Sequence, residues 1–298
     1  GAVAASLLRQ HESDAELAPG DMVGVFRILR EIGRGGMAIV YLAERADDEY
    51  RQQVALKWVR AVRTDGVAAA LFLRERQALA DLRHPHIARL LDGGRTVEGR
   101  PWFAMEYIDG EFLDQHCRHH RLSLERRLAL FLQVCSAAAY AHARGVLHRD
   151  IKPGNILVDS DGAVRLLDFG IAWLAGQDDL AANAHTPGFA SPEQVRGESL
   201  TVASDVFQLG GLLASLIDDH TEPASTVAPT VPVEAPVVSA ALDGTRRDVS
   251  PENADRDLQA IIQRACASDP AQRYATADAL AADVRARIEH RPVAARAH

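Results

Sequence analysis

The chain has 298 residues, with 33 basic and 41 acidic side chains, a formal net charge of −8 and 47% apolar residues. That apolar share supports a packed core and excludes a disordered chain. The acidic balance argues against a generic nucleic-acid binder, which needs an electropositive face.

Residues 1–20 read as a polar linker closed by the turn signal Pro19-Gly20. From 21 to 107 the pattern is strand-like. Runs rich in β-branched and aromatic residues at 23–29, 39–42 and 54–59 predict an antiparallel meander. One helix interrupts it: Leu71, Arg74, Glu75, Ala78, Leu79 and Leu82 recur at helical spacing after the capping pair Thr64-Asp65. Beyond 108 the pattern turns helical. Leu124, Leu128, Phe131, Cys135 and Ala139 share one face, with Ser123 as N-cap. Further helices are expected at Val202–Ile217, 258–267 and Ala277–Ile288. Prolines and small residues make 219–251 a long loop, and 292–298 is a tail. The fold class is therefore α+β: a small antiparallel β lobe with one helix (21–107), then a larger, mainly helical lobe (108–291), with a hinge near 106–108. A ligand is expected between such lobes.

No run approaches the ~20 apolar residues of a membrane span, and residues 1–19 lack a basic-then-apolar leader pattern. Cys117, Cys135 and Cys266 have no CxxC spacing, which excludes a disulfide framework and suits a reducing cytosol. The chain opens with Gly rather than Met, which suggests a segment of a longer protein.

Gly33, Gly35 and Gly36 lie between two strand patterns, where backbone amides can approach phosphate oxygens or simply form a tight hairpin. Lys57 sits in an apolar strand. It is either an outward, solvated lysine or one aimed at phosphates and braced by Glu75. Asp150, Lys152 and Asn155 fall in the run His148-Arg149-Asp150-Ile151-Lys152-Pro153-Gly154-Asn155. That spacing can place a base, a cation and a metal ligand at one site. Asp168, before Phe169-Gly170, is either a turn residue or, with Asn155, a source of the oxygen ligands Mg²⁺ prefers.

Taken in order, the glycine loop, Val54-Ala55-Leu56-Lys57, Glu75, the 148–155 run, Asp168-Phe169-Gly170, Ser191-Pro192-Glu193 and Asp205 with Gly210 match the protein-kinase signature set. The chain resembles the bacterial Hanks-type (eukaryotic-like) serine/threonine protein kinases, catalytic domain, over almost its whole length. The resemblance implies ATP- and Mg²⁺-dependent (or Mn²⁺-dependent) transfer of the γ-phosphate to Ser or Thr of protein substrates, itself included through self-association. It assigns Asp150 to the substrate hydroxyl proton, Lys152 to the transferring phosphoryl group, and Asn155 and Asp168 to the metal. Lys57 takes the α/β-phosphates, braced by Glu75, and Thr186 bonds near Asp150. Nucleotide contacts fall to Ile32, Gly33, Arg34, Gly35, Gly36, Val40, Ala55, Met105, Glu106, Tyr107, Ile108 and Leu157, besides Lys57 and Asp168. Leu79, His148 and Phe169 belong to a hydrophobic spine, and Glu193 should pair with Arg273. A cytoplasmic location follows, free or as the cytosolic part of a membrane-tethered kinase.

Two features depart from the family pattern. Between Asp168 and Ser191 the only hydroxyl is Thr186. Asp178 and Asp179 are either a solvated acidic loop or a partial stand-in for a phosphate facing Arg149. The 219–251 loop replaces an expected substrate-docking helix and offers Ser225, Thr226 and Thr230 as phosphate acceptors. His116-Cys117-x-His119-His120 has metal-ligand residue types but lies at an expected bend between helices and lacks a further ligand. The other readings are a pseudokinase that binds nucleotide without efficient transfer and a small-molecule phosphotransferase of the same two-lobed fold. Intact Lys57, Asp150 and Asp168 weigh against the first, and Ser191-Pro192-Glu193 against the second.

Overall fold

A computed structural model describes residues 16–35, 38–47, 49–59, 77, 79–97, 99–169, 188–218 and 255–296. Glu75, Gly36, Thr186, Asp178, Asp179, most of the 64–82 helix and the 219–251 loop lie outside the described residues. The chain divides into two compact units, one holding the described residues up to Asp109 and the other those from Gly110 on.

The first unit is an antiparallel sheet of β1 (Met22–Val23), β2 (Phe26–Arg34), β3 (Ala38–Arg45), β4 (Gln53–Val59), β5 (Leu90–Arg95) and β6 (Pro101–Glu106), in the order β1-β2-β3-β4-β6-β5. The single strand predicted over 23–29 is instead two. Val23 pairs with Phe26, and Gly24-Val25 form the turn between them. Gly24 sits at φ 59°, which a glycine at the first position of a tight hairpin turn supplies without strain. A Cβ there would lie 2.9 Å from the Trp102 ring, so the turn and the core choose the same residue.

Alternation sorts the sheet into two faces. Ile39, Tyr41, Ala43, Val54, Leu56, Trp58, Trp102 and Ala104 pack with Phe26 and Ile28 into one core, where Phe26 meets Trp102 edge-on at 6.0 Å. Such large apolar side chains contribute roughly 1.5–3 kcal/mol each on burial. Their neighbours of opposite parity share the other face.

The second unit begins with β7 (Gly110–Phe112), which joins β8 (Ile156–Asp159) and β9 (Val164–Leu166) in a three-stranded antiparallel sheet. Its helices are α1 (Leu113–His119), α2 (Leu124–His142), α3 (Pro192–Val195), α4 (Val202–Ile217), α5 (Arg256–Ala265) and α6 (Ala277–Ile288). The α2 helix buries Leu128, Phe131, Val134 and Cys135, and Ser123 caps it by accepting the Arg126 amide. The start of α5 falls before the expected 258, because Asp255 accepts the amides of Asp257 and Leu258 and caps the helix there. His116 and His119 lie on helix α1 rather than at a bend, and His120 is its C-cap. The three cysteines are unpaired. Among the described residues, no helix is long and apolar enough to cross a membrane.

Candidate active site

The second unit gathers the charged residues of the 148–155 run. Asp150 Oδ2 meets Lys152 Nζ at 2.8 Å and accepts from Asn155 Nδ2, also at 2.8 Å. Asn155 Nδ2 donates to the Asp150 carbonyl at 2.8 Å as well. With its amide hydrogens facing Asp150, Asn155 directs its carbonyl oxygen the other way. A 3₁₀ turn over Pro153–Asn155 makes this possible by carrying the chain back within one short loop.

Asp168 reaches the same loop through its neighbour. The Leu167 amide donates to the Asn155 carbonyl at 2.8 Å, and the Leu167 carbonyl takes His148 Nε2 at 2.7 Å. The His148 ring stacks, tilted, on Phe169 with centroids 4.7 Å apart. His148 Nδ1 accepts the Asp150 amide at 3.2 Å. A ring that donates from Nε2 and accepts at Nδ1 is the neutral tautomer. Burial pushes its pKa down, in the same direction.

Two non-glycine residues here hold left-handed backbone: Arg149 at φ 71° and Asp168 at φ 58°. Aspartate tolerates that region, but for arginine it costs roughly 1–2 kcal/mol. Side chains from α4 and α3 hold Arg149 in place. Asp205 accepts the amides of His148 and Arg149, both at 2.8 Å, and meets His142 Nε2 at 2.7 Å. Gln208 accepts the Ile151 amide at 2.8 Å and donates to the Arg149 carbonyl at 2.8 Å. Gln194 donates to the same carbonyl at 3.1 Å and accepts from Gln208 at 3.0 Å. The sequence reading singled out Asp205 only as a motif member and missed Gln208 and Gln194. Glutamine carries no local signature for this task; only the positions Asp205 and Gln208, three apart on one helix, hint at it.

Glu193 and Arg273 form the expected pair, with Arg273 nitrogens at 2.7 and 2.9 Å from the two carboxylate oxygens. Ser204 adds a third hydrogen bond at 2.7 Å. Burial alone pushes the Glu193 carboxyl up, but these hydrogen bonds outweigh it and hold the pKa at about 2.

In the first unit, Val40, Lys57 and Phe103 stand opposite one another across β3, β4 and β6, as do Leu42, Ala55 and Met105. All six therefore share the face opposite the Phe26–Trp102 core, and Leu42, Phe103 and Met105 are buried there. Gly33 pairs with Val40, and the Gly35 amide closes the hairpin on the Ala38 carbonyl at 2.9 Å. The exposed Arg34 side chain is engaged by Glu31 at 2.9 Å and by Glu16 at 3.0 Å. Ile32 is half-buried on β2, and Tyr107 and Ile108 are half-buried just past β6. The Glu106 amide is taken by the Arg89 carbonyl at 2.9 Å. Leu157 belongs to the second unit, on β8, opposite Phe112 and Arg165.

As a donor set, the Asn155 carbonyl oxygen and the Asp168 carboxylate fit a hard divalent cation such as Mg²⁺. Asp150 is held through one oxygen by both Lys152 and Asn155.

Comparison with known proteins places the chain in a family. The family model described as "Protein kinase domain" matches residues 26–284. A probable serine/threonine-protein kinase of Streptomyces coelicolor is 34% identical over 293 residues, covering 94% of this chain and 42% of that protein. The serine/threonine-protein kinase PknB of Mycobacterium tuberculosis is 34% identical over 268 residues, covering 85% of this chain and 41% of that one. The chain thus spans less than half the length of these curated relatives. Among solved structures, the kinase domain of M. tuberculosis PknI superposes with a TM-score of 0.66 at 28% identity, covering 92% of this chain and all of that one.

Proposed function

The chain belongs to the protein kinase family, in its bacterial serine/threonine branch, and from that premise we propose that it transfers the γ-phosphate of ATP, with Mg²⁺, to Ser or Thr of a protein substrate. The observation that carries this reading is the joining of Asp150, Lys152 and Asn155 at 2.8 Å in one loop, tied to Asp168 through Leu167.

In this reading Asp150 orients the substrate hydroxyl and accepts its proton on the oxygen not engaged by Lys152. Lys152 sits where it offsets charge on the transferring phosphoryl group. Asn155 and Asp168 hold Mg²⁺, which supplies neutralisation of phosphate charge when bound. Lys57 takes the α/β-phosphates, with Glu75 as its brace, and Val40, Ala55, Met105 and Leu157 contact the adenine. Phosphoryl transfer asks for positioning and charge stabilisation more than covalent chemistry. The neutral His148 ring and the side chains of Asp205 and Gln208 are positioning residues: they act on the backbone that carries Asp150. Self-phosphorylation, in the 219–251 loop in particular, and a cytoplasmic location, free or as the cytosolic part of a membrane-tethered kinase, are parts of the same proposal.

Intact-mass measurement after incubation with ATP, Mg²⁺ and a generic acceptor protein tests it. Phosphate increments on the chain or the acceptor that vanish in Asp150→Ala are expected. ATP binding without transfer to either protein would overturn the reading in favour of a nucleotide-binding scaffold.

A further inference from the structure

A second cluster of metal-ligand side chains lies where β7 meets α1. Glu111, the middle residue of β7, points its carboxylate among three histidines of α1 and its C-cap. Its Oε2 is 3.3 Å from His116 Nδ1 and 3.5 Å from His120 Nε2. Its Oε1 is 3.1 Å from His119 Nδ1. His116 and His120 are four residues apart, which places both rings on one face of the helix. Their centroids are 4.4 Å apart.

We propose that Glu111, His116 and His120 form a binding site for a divalent transition-metal ion of the zinc class, with His119 holding the second oxygen of the carboxylate ligand.

The distances separate this reading from an ordinary hydrogen-bonded cluster. Glu111 Oε2 is buried and accepts no hydrogen bond. A satisfied carboxylate oxygen would draw its partners to about 2.7–2.9 Å. The two nitrogens stand instead at the spacing of a coordination edge. For tetrahedral ligands with bonds of about 2.0–2.1 Å, the ligand–ligand edge is about 3.3–3.4 Å. All three ligand atoms lie within 4.8 Å of one another, so a single ion can reach them together. Three protein ligands leave a fourth position for water.

The donor types choose the metal. Two imidazoles and one carboxylate suit zinc and its neighbours, whereas Mg²⁺ prefers oxygen alone. The site should therefore fill in the presence of excess Mg²⁺ and stay distinct from the Asn155 and Asp168 pair. His119 plays the part that outer partners of metal-bound carboxylates commonly play, fixing the orientation of the ligand.

Occupancy would clamp β7 to the C-terminal end of α1. Glu111 is paired with Val158 on β8, the strand that leaves the loop at Ile156, directly after Asn155. The clamp therefore braces the strand into which the loop carrying Asp150 runs. Sequence spacing alone placed the histidines together; the ligand it lacked was Glu111, which comes from the strand before the helix.

Isothermal titration of the purified chain with Zn²⁺ in millimolar Mg²⁺, without nucleotide, tests the proposal, alongside thermal unfolding. We expect one Zn²⁺ per chain at micromolar affinity or tighter and a raised unfolding midpoint. Both effects should be lost in His116→Ala and His120→Ala, and His119→Ala should weaken binding by about tenfold. His120 is more than half exposed, so its variant should fold even if His116→Ala does not. Cobalt substitution should give the strong visible absorption of a low-coordinate site in the unaltered chain and none in His120→Ala. Undiminished Zn²⁺ affinity in His120→Ala, or affinity no tighter than millimolar in the unaltered chain, would overturn the assignment.

Discussion

Asp205 holds Arg149 in left-handed backbone: its Oδ1 accepts the Arg149 amide at 2.8 Å while that residue sits at φ 71°. The same carboxylate takes the His148 amide and His142 Nε2, so it anchors the start of the loop that carries Asp150. Asp205→Ala leaves these donors without their acceptor in a buried site, where each costs roughly 1–3 kcal/mol. We expect a loss of about 3 kcal/mol or more in urea unfolding. In the protein that remains folded, kcat for phosphate transfer should fall while the ATP KM stays near its original value. An unchanged kcat would remove Asp205 from the positioning role.

Gln208 and Gln194 share the Arg149 carbonyl but not equally. Among the described residues, Gln208 alone accepts the buried Ile151 amide. Gln208→Leu should therefore destabilise by roughly 1–3 kcal/mol. Gln194→Leu leaves Arg149 still bonded to Gln208 and should cost less than about 1 kcal/mol. Chemical denaturation of the two variants side by side reads the difference; equal losses would contradict the asymmetry.

The Glu193–Arg273 pair makes acid stability predictable. The folded pKa of Glu193, about 2, lies below the ordinary 4.5 of a glutamate. A depressed carboxylate contributes stability that is present above the unfolded value and is lost as pH falls through the folded one. The window is therefore from about pH 4.5 down to about pH 2, and the contribution is about 3 kcal/mol. Glu193→Gln should flatten the pH dependence of unfolding across that window. Arg273→Met, which strands a buried carboxylate, should cost roughly 3–5 kcal/mol near neutral pH.

Gly210 marks a close approach of α4 and α5. A Cβ at this position would lie 2.6 Å from Cys266 Sγ and 2.8 Å from Ala265 Cβ. Gly210→Ala should destabilise by roughly 1–3 kcal/mol through overpacking. Adding Cys266→Ala removes the sulfur and should recover part of that loss. Calorimetric midpoints of the single and double variants check both steps.

The α+β class and the helices Val202–Ile217 and Ala277–Ile288 were legible because each is a local matter. Periodicity, capping residues and turn chemistry act over a few neighbouring positions, and the family motifs are short runs of the same kind. Even the joining of Asp150, Lys152 and Asn155 is written into a single loop whose length permits it. The misread strand at 23–29 turned on Gly24, whose position against Trp102 belongs to a contact spanning most of the first unit.

Other relationships required the folded chain. Gln208 meets Ile151 and Arg149, and Glu193 meets Arg273, across long stretches of sequence that no periodicity connects. Glu111 joins His116 and His120 because a strand end and a helix end converge, and a carboxylate on a strand announces nothing by itself. Sequence alone determined which chemistry-bearing groups the chain owns and which elements carry them. Tertiary packing decided which buried amides, carbonyls and ring nitrogens face those groups, because each buried polar atom must find its partner wherever the packed chain brings one.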